Sequence, residues 1–422
     1  MWNKRRLEDF YYNFVGYEKS AAYNYSSYAP PSVVLNDRYF VEVEQEIRVG
    51  FRLYDASSVK KDSKVIKYQN LQYTTNTPDV KFPRVVGNNN KLYFFGVNGN
   101  DDVFETTIMF SFDINEKVWN ELKDVNMPSH LDPNQEENFV GPDSNGNAYL
   151  FYNDYNVMVS FNTETLEWNE YTIQSFVPTG YSYYTWYTAT ILPDGTIAYI
   201  GGQFTSGTAG SIDAPMNQVY IYDTNTHVWA AKSTIGNPPG PRNSHSASLT
   251  SDGRIIVYGG VDANNNPANP SLAVLDINKF EWSTPNVNNP IGSIYLAPSV
   301  IINDLMFLYV GINVTTPVYN AFNKVYMLDT STYTWSSLDP VATNTDDNIY
   351  NSGNNQLTGG NDGTANRNDL TMTLIIILIV IGSILVVAIL GVTFYKLYQS
   401  RRPRQISPKI IDNPQQSAQS KV

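Results

Sequence analysis

The chain has 422 residues, of which 42% are hydrophobic, 16% are charged and 31 are tyrosine. That length exceeds one ordinary core, and the tyrosine content favours half-buried pleated surfaces, so repeated β units are the first expectation. The net charge of −12 argues against nucleic-acid binding through phosphates, and the absence of cysteine excludes disulfides, thiolate nucleophiles and Cys-based metal centres.

Residues 1–29 show no secretory leader. Lys4, Arg5 and Arg6 resemble an n-region, but Glu8 and Asp9 stand where an apolar h-region would begin. A first four-strand rhythm then appears at Ser32–Leu35, Arg38–Val43, Gly50–Tyr54 and Lys64–Tyr68. Asp55 ends its third strand, with no Trp after it at the spacing seen later in the chain.

Further along, a strand-like run ends in Asp or Asn and a Trp comes six residues later. The pairs are Asp113 and Trp119, Asn162 and Trp168, Asp223 and Trp229, Asp276 and Trp282, Asp329 and Trp335. Self-similarity at about 50 residues is what stacked sheet units produce. A four-stranded unit cannot bury its own faces, so each Trp is expected to fill the space against a neighbouring sheet.

The copies around Trp229 and Trp282 are the clearest. The first reads as strands Thr188–Leu192, Thr196–Ile200, Gln218–Tyr222 and His227–Ala231. The second reads as Ser246–Thr250, Arg254–Tyr258, Leu272–Leu275 and Phe280–Ser283. Asp194-Gly195 and Asp252-Gly253 supply the positive φ of tight hairpins. Gly201-Gly202 and Gly259-Gly260 end the second strands, where backbones crowd the axis. Gln203–Asn217 and Val261–Pro270 read as loop inserts, and an aromatic cluster (Tyr181, Tyr183, Tyr184, Trp186, Tyr187) precedes the first of these copies.

These residues resemble the kelch repeat. The Gly-Gly doublet, the third strand ending in Tyr-Asp or similar, and the Trp on the fourth carry the likeness. Pro241, Arg242, His245, Ser246 and Ala247 look like that family's first-strand approach. The resemblance spans residues 30–338 and implies an all-β, six-bladed kelch-type β-propeller. Residues 1–29 would supply a seventh blade if they complete one.

Asp339–Asp369 is rich in Asn, Gly and Thr and reads as a stalk. Leu370–Tyr395 holds no charged residue. At helical rise it reaches about 39 Å, enough for one transmembrane α-helix. Lys396, Arg401, Arg402 and Arg404 lie just beyond it in a basic tail, residues 396–422. The positive-inside rule places that tail in the cytosol and the propeller outside or in a lumen. Asn24 and Asn313 lie in glycosylation sequons, which matter only on that side. A tail-anchored cytosolic adaptor is the rival topology.

Kelch-like propellers include copper oxidases of the galactose oxidase type, which use a cysteine-linked tyrosine and histidine ligands. This chain has no Cys and three His (His130, His227, His245) in different settings. Sialidase-like hydrolysis would need converging Arg residues, and those here are sparse. The expectation is therefore a non-catalytic protein with no cofactor, no metal and no nucleic-acid partner. It would bind a protein or glycan through propeller loops, with Tyr183, Tyr184 and Trp186 as candidate contacts, and a lipid bilayer through residues 370–395.

Overall fold

The structure is a computed structural model that describes residues 33–44, 50–71, 78, 80–98, 107–123, 125–128, 139–152, 156–173, 183–206, 210–309, 311–314 and 324–343. Every regular element among them is a β-strand. The candidate glycan site Asn24, the membrane segment 370–395 and the basic tail lie outside the described residues, as do Tyr181 and His130.

The strands among the described residues group into six mainly antiparallel modules. Module 1 holds β1 (Val33–Leu35), β2 (Tyr39–Glu44), β3 (Gly50–Asp55) and β4 (Val65–Asn70). Module 2 holds β5 (Val80–Asn88), β6 (Lys91–Asn98), β7 (Thr107–Asp113) and β8 (Val118–Glu121). Module 3 holds β9 (Asn147–Tyr152), β10 (Val157–Asn162) and β11 (Trp168–Thr172), with Val140 bridging Tyr149 in place of a first strand.

Module 4 begins with β12 (Tyr183–Thr185), then β13 (Thr188–Ile191) and β14 (Thr196–Ile200). An inserted hairpin, β15 (Gln203–Ser206) and β16 (Gly210–Asp213), precedes β17 (Gln218–Asp223) and β18 (Val228–Ser233). Module 5 holds β19 (Ile235–Gly236), β20 (Ser246–Leu249), β21 (Arg254–Tyr258), β22 (Leu272–Asp276) and β23 (Glu281–Ser283). Module 6 holds β24 (Ile294–Tyr295), β25 (Ser299–Ile302), β26 (Leu305–Tyr309), β27 (Ile312–Asn313), β28 (Val325–Asp329) and β29 (Thr334–Ala342).

The core sits between modules, not within them. One apolar cluster joins Leu35, Val41 and Phe51 of module 1 to Leu92, Phe94 and Phe112 of module 2. Equivalent clusters join modules 2 and 3, 3 and 4, 4 and 5, and 5 and 6. A further cluster packs Phe307, Tyr309 and Met327 of module 6 on Phe40, Tyr54 and Ile66 of module 1. Each sheet buries both faces, which a single blade cannot do alone.

The five Trp residues share one register position. Each stands opposite the residue before the Asp or Asn that ends the preceding strand: Phe112 with Trp119, Phe161 with Trp168, Tyr222 with Trp229, Leu275 with Trp282, Leu328 with Trp335. Each packs in the cluster shared with the preceding module. The Asp or Asn has its own task. Its Oδ1 accepts backbone N–H groups two or three residues on, as Asp223 does from Asn225 and Thr226, closing an Asx turn.

Neighbouring modules are also stitched at their outer edges. β19, which follows β18 of module 4 in the chain, pairs in parallel with β23 of module 5. Asn288 does the same against Thr334 of module 6. The end of β29 pairs in parallel with β4 of module 1, Asp339 to Val65 through Ala342 to Tyr68. Thus β29 continues beyond residue 338, into residues whose composition reads as stalk. Pairing with β4 gives their backbone groups partners, so they extend the sheet.

Candidate functional site

Antiparallel strands send alternate connections to opposite ends of a module. One end carries short Asx and Asp-Gly turns. The other carries the longer connections, and there modules 4 and 5 are elaborated.

The insert Gln203–Asn217 is not a plain loop. β15 pairs with β16 and with β12, making a three-stranded accessory sheet on module 4. Alternation divides its faces. Tyr184 and Phe204 turn inward and are buried, with stacked rings 4.6 Å apart. The Tyr184 hydroxyl donates to the Gly201 carbonyl at 2.7 Å. Tyr184 is thus withdrawn from the candidate contacts: it has no exposed surface and its hydroxyl is used within the fold. Tyr183 lies on the opposite face, 46% exposed, in register with Thr205 and then Ser211. Trp186 comes next, in the left-handed region at φ 61° and half-buried, and its carbonyl accepts from the Ser244 amide.

A polar network anchors this sheet to module 5. Asp213 Oδ1 accepts from Gln203 Nε2 at 3.2 Å and from Asn243 Nδ2 at 3.0 Å. Ser244 Oγ donates to Asn243 Oδ1 at 3.0 Å. Neither Asp213 nor Asn243 is singled out by the sequence. The available signal is alternation in Gln203-Phe204-Thr205-Ser206, which is a strand pattern inside a presumed loop.

Arg242 is fully buried. Its guanidinium donates to three carbonyls, those of Gly240, Gly259 and Pro270. Burial brings the guanidinium down to about 10, so it stays charged at neutral pH. His245 is also buried, with Nε2 3.0 Å from Thr188 Oγ1. Burial, and then the nearby Arg242 charge, push its imidazole down to about 3. The glycine doublets meet this segment. Gly202 donates to the Arg242 carbonyl, and Gly260 to that of Ile294. A Cβ at Gly259 would lie 1.9 Å from the Ile294 oxygen. Gly201 also has a close neighbour, the Arg242 oxygen, at 2.6 Å from a Cβ.

The sequence-selected residues therefore separate into groups. Trp119, Trp168, Trp229, Trp282 and Trp335 line the module junctions. Tyr183 and Trp186 remain at the elaborated end. Asn313 sits in β27, paired with Ile294, half-buried. His227 lies at the turn end with Nδ1 2.9 Å from the Tyr222 hydroxyl, apart from His245. Among the described residues no three His, Asp or Glu side chains gather to hold a metal ion. No helix among the described residues is long and apolar enough to cross a membrane.

Comparison with known proteins agrees with this geometry. Residues 186–372 match the model of the KLHDC2/KLHL20/DRC7 Kelch-repeats domain. The chain is 26% identical to the human Rab9 effector protein with kelch motifs over 126 residues, 29% of each chain. It is 23% identical to bovine Kelch domain-containing protein 3 over 159 residues, 36% of this chain and 40% of the relative. It is 27% identical to the Rho GTPase-activating protein gacHH of Dictyostelium discoideum over 95 residues, 22% of this chain and 6% of the relative. The chain thus spans less than half the length of these relatives. The modules have the four-strand pattern of β-propeller blades, and residues 186–372 carry the likeness to kelch-repeat proteins.

Proposed function

We propose that this kelch-repeat propeller is a six-bladed, non-catalytic binding module, tethered to a membrane by residues 370–395, that engages a protein partner at its elaborated end. The observation that carries the reading is the accessory sheet. Its outer face presents Tyr183 beside Thr205 and Ser211. An exposed aromatic on a rigid strand makes a low-entropy anchor. A rigid scaffold with varied end loops is also how propellers carry recognition. Tyr and hydroxyl groups together would equally suit a glycan, which is the alternative ligand.

The six-blade count is supported by the closed series of apolar junctions, in which module 6 packs on module 1. The tether rests on the uncharged run 370–395, and the basic residues after it favour an outside or lumenal propeller with a cytosolic tail. Asn24 and Asn313 would then be open to glycosylation.

A photo-crosslinking residue at position 183 in cells tests the binding face. A discrete protein adduct at 183, and none at the turn-end position 117, is expected. No adduct at 183, or the same adduct at both positions, overturns the reading. Protease treatment of sealed cells tests sidedness. A propeller digested once the plasma membrane alone is permeabilised, with the organelle membranes still sealed, and protected before that, would reverse the topology.

A further inference from the structure

Residues 124–231 contain twelve Asp or Glu and no Lys or Arg. That stretch alone accounts for the net charge of −12. It builds module 3 and all of module 4 but the end of β18, where Lys232 stands. Elsewhere on the propeller several turn carboxylates have a cation beside them: Arg38 on Asp55 at 2.7 Å, Lys61 on Asp329 at 2.8 Å, Arg254 on Asp252 at 2.9 Å. Among the described residues of modules 3 and 4 the one Lys or Arg is Lys232, near the end of β18, and its Nζ lies 3.7 Å from the centre of the Phe280 ring of module 5.

Charge is not the only feature at their shared rim. Tyr171 of β11 stacks on His227 of module 4, ring centroids 3.6 Å apart and planes 15° from parallel. His227 is held there by Tyr222 at Nδ1. Burial keeps its imidazole below the ordinary range, against the opposing pull of Asp223. Val228, the next residue, is 57% exposed. Glu164, Glu167 and Glu170 are exposed on and beside β11. Neither β11 nor β18 has a strand paired on its outer edge among the described residues.

We propose that the rim at the junction of modules 3 and 4 docks a Lys- or Arg-rich segment of a protein partner that also carries apolar side chains. An exposed ion pair alone gains little in water. The stacked ring pair offers a face for a guanidinium, and Val228 offers apolar contact, so the short-range attractions are local to this rim. The long-range field of a strongly acidic sector steers a cationic segment toward it and repels phosphate-bearing surfaces. The inference rests on the protein-binding reading but uses a different surface from Tyr183.

The test titrates the full-length chain with a labelled peptide alternating Leu with Lys and Arg. Binding should weaken steeply between about 0.05 M and about 0.5 M salt. Glu164→Lys, Glu167→Lys and Glu170→Lys together should lower affinity about tenfold or more. The corresponding Gln triple, which keeps side-chain size, should lower it about fivefold. The same number of reversals at Asp37, Asp62 and Glu116 should change it less than about twofold. Val228→Ser should also weaken it, and Tyr183→Ala should not. Equal losses from both acid sets would mean bulk charge and overturn the proposal, as would no binding at low salt. Loss on Tyr183→Ala alone would overturn the rim while leaving the end-face reading intact.

Discussion

Tyr68 stands opposite Tyr54 across β3 and β4, at the register position where Trp335 stands opposite Leu328 in module 6. Module 1 lacks the repeated Trp, yet an aromatic ring fills its place. Tyr68 packs against the cluster that joins modules 6 and 1, and the Arg52 guanidinium lies 5.4 Å from its ring centre. Tyr68 comes thirteen residues after Asp55, whereas each Trp comes six after its Asp or Asn. The longer turn hides the equivalence.

This position should be graded in its stability cost. Trp282 is 2% exposed and its Nε1 donates to the Met216 carbonyl at 2.8 Å. Trp282→Ala should cost about 3–5 kcal/mol, combining lost burial, a cavity and an orphaned carbonyl. Tyr68→Ala removes a smaller, half-buried ring and should cost about 2 kcal/mol. Urea unfolding midpoints would rank them. A negligible cost at Tyr68 would mean that it is not the counterpart of the Trp.

Gly259 and Gly210 make a matched pair. Both have positive φ, 68° and 79°. A Cβ at Gly210 would meet nothing within 4 Å, whereas at Gly259 it would sit 1.9 Å from the Ile294 oxygen. Gly210→Ala should therefore carry only the backbone cost, about 1 kcal/mol. Gly259→Ala should exceed about 4 kcal/mol, because backbone must move and the Gly260 to Ile294 hydrogen bond goes with it. Thermal unfolding of both variants checks this. A small effect at Gly259 would show that modules 5 and 6 can separate there at little cost.

Much of the fold could be read from residues because the repeat repeats its physics. The Asp-to-Trp spacing, the Asp-Gly hairpins and the Gly-Gly doublets each answer a local demand of a blade, so they recur. Other features left no such mark. The fourth residue after each Asp or Asn is left-handed in modules 2 to 6, but it is Lys117, Leu166, His227, Phe280 or Tyr333, none of them glycine. Composition could not flag a conformation that the Asx turn and hairpin impose. Strands β15 and β16 were hidden in a Gly- and Thr-rich insert whose pairing depends on β12, about twenty residues upstream. Tyr184 looked like a binding aromatic because its neighbours are aromatic too; only strand alternation decides which of them faces the core.

His245 should make the propeller acid-sensitive well above the range of carboxylates. Burial holds the folded imidazole at about 3, against an ordinary value near 6.5. The unfolded chain therefore binds the extra proton first. The stability is complete above about pH 6.5 and is lost as pH falls towards 3. Between about pH 6.5 and pH 5 the loss should be about 2 kcal/mol. His245→Gln, which keeps a hydrogen-bonding group near Thr188, should be less stable at pH 7 but flatter over that interval. Denaturation curves at pH 7, 6 and 5 decide it, and parallel slopes for both chains would assign the acid sensitivity elsewhere.

The last strand offers the sharpest test of how the ring is shut. Asp339 donates its amide to the Lys64 carbonyl at 2.8 Å, and Thr343 donates its own to that of Tyr68 at 2.9 Å. Asp339 to Ala342, four residues, lie in parallel register on β4. Lys61 adds a bond from the neighbouring turn to Asp329 and Ser331 of module 6, but Lys61 is 60% exposed and should contribute under about 1 kcal/mol. The strand tail should matter more. A chain ending at residue 338 keeps the buried Leu338 but loses every one of these backbone bonds, each contributing about 1 kcal/mol net. It should unfold about 2–4 kcal/mol more easily than a chain ending at 343. Amide exchange should speed up along β4 before any other outer strand, because β4 would then become a free edge. Matching stabilities, with β4 still protected, would mean that apolar packing between Phe40, Phe307 and Tyr309 closes the ring without the strand.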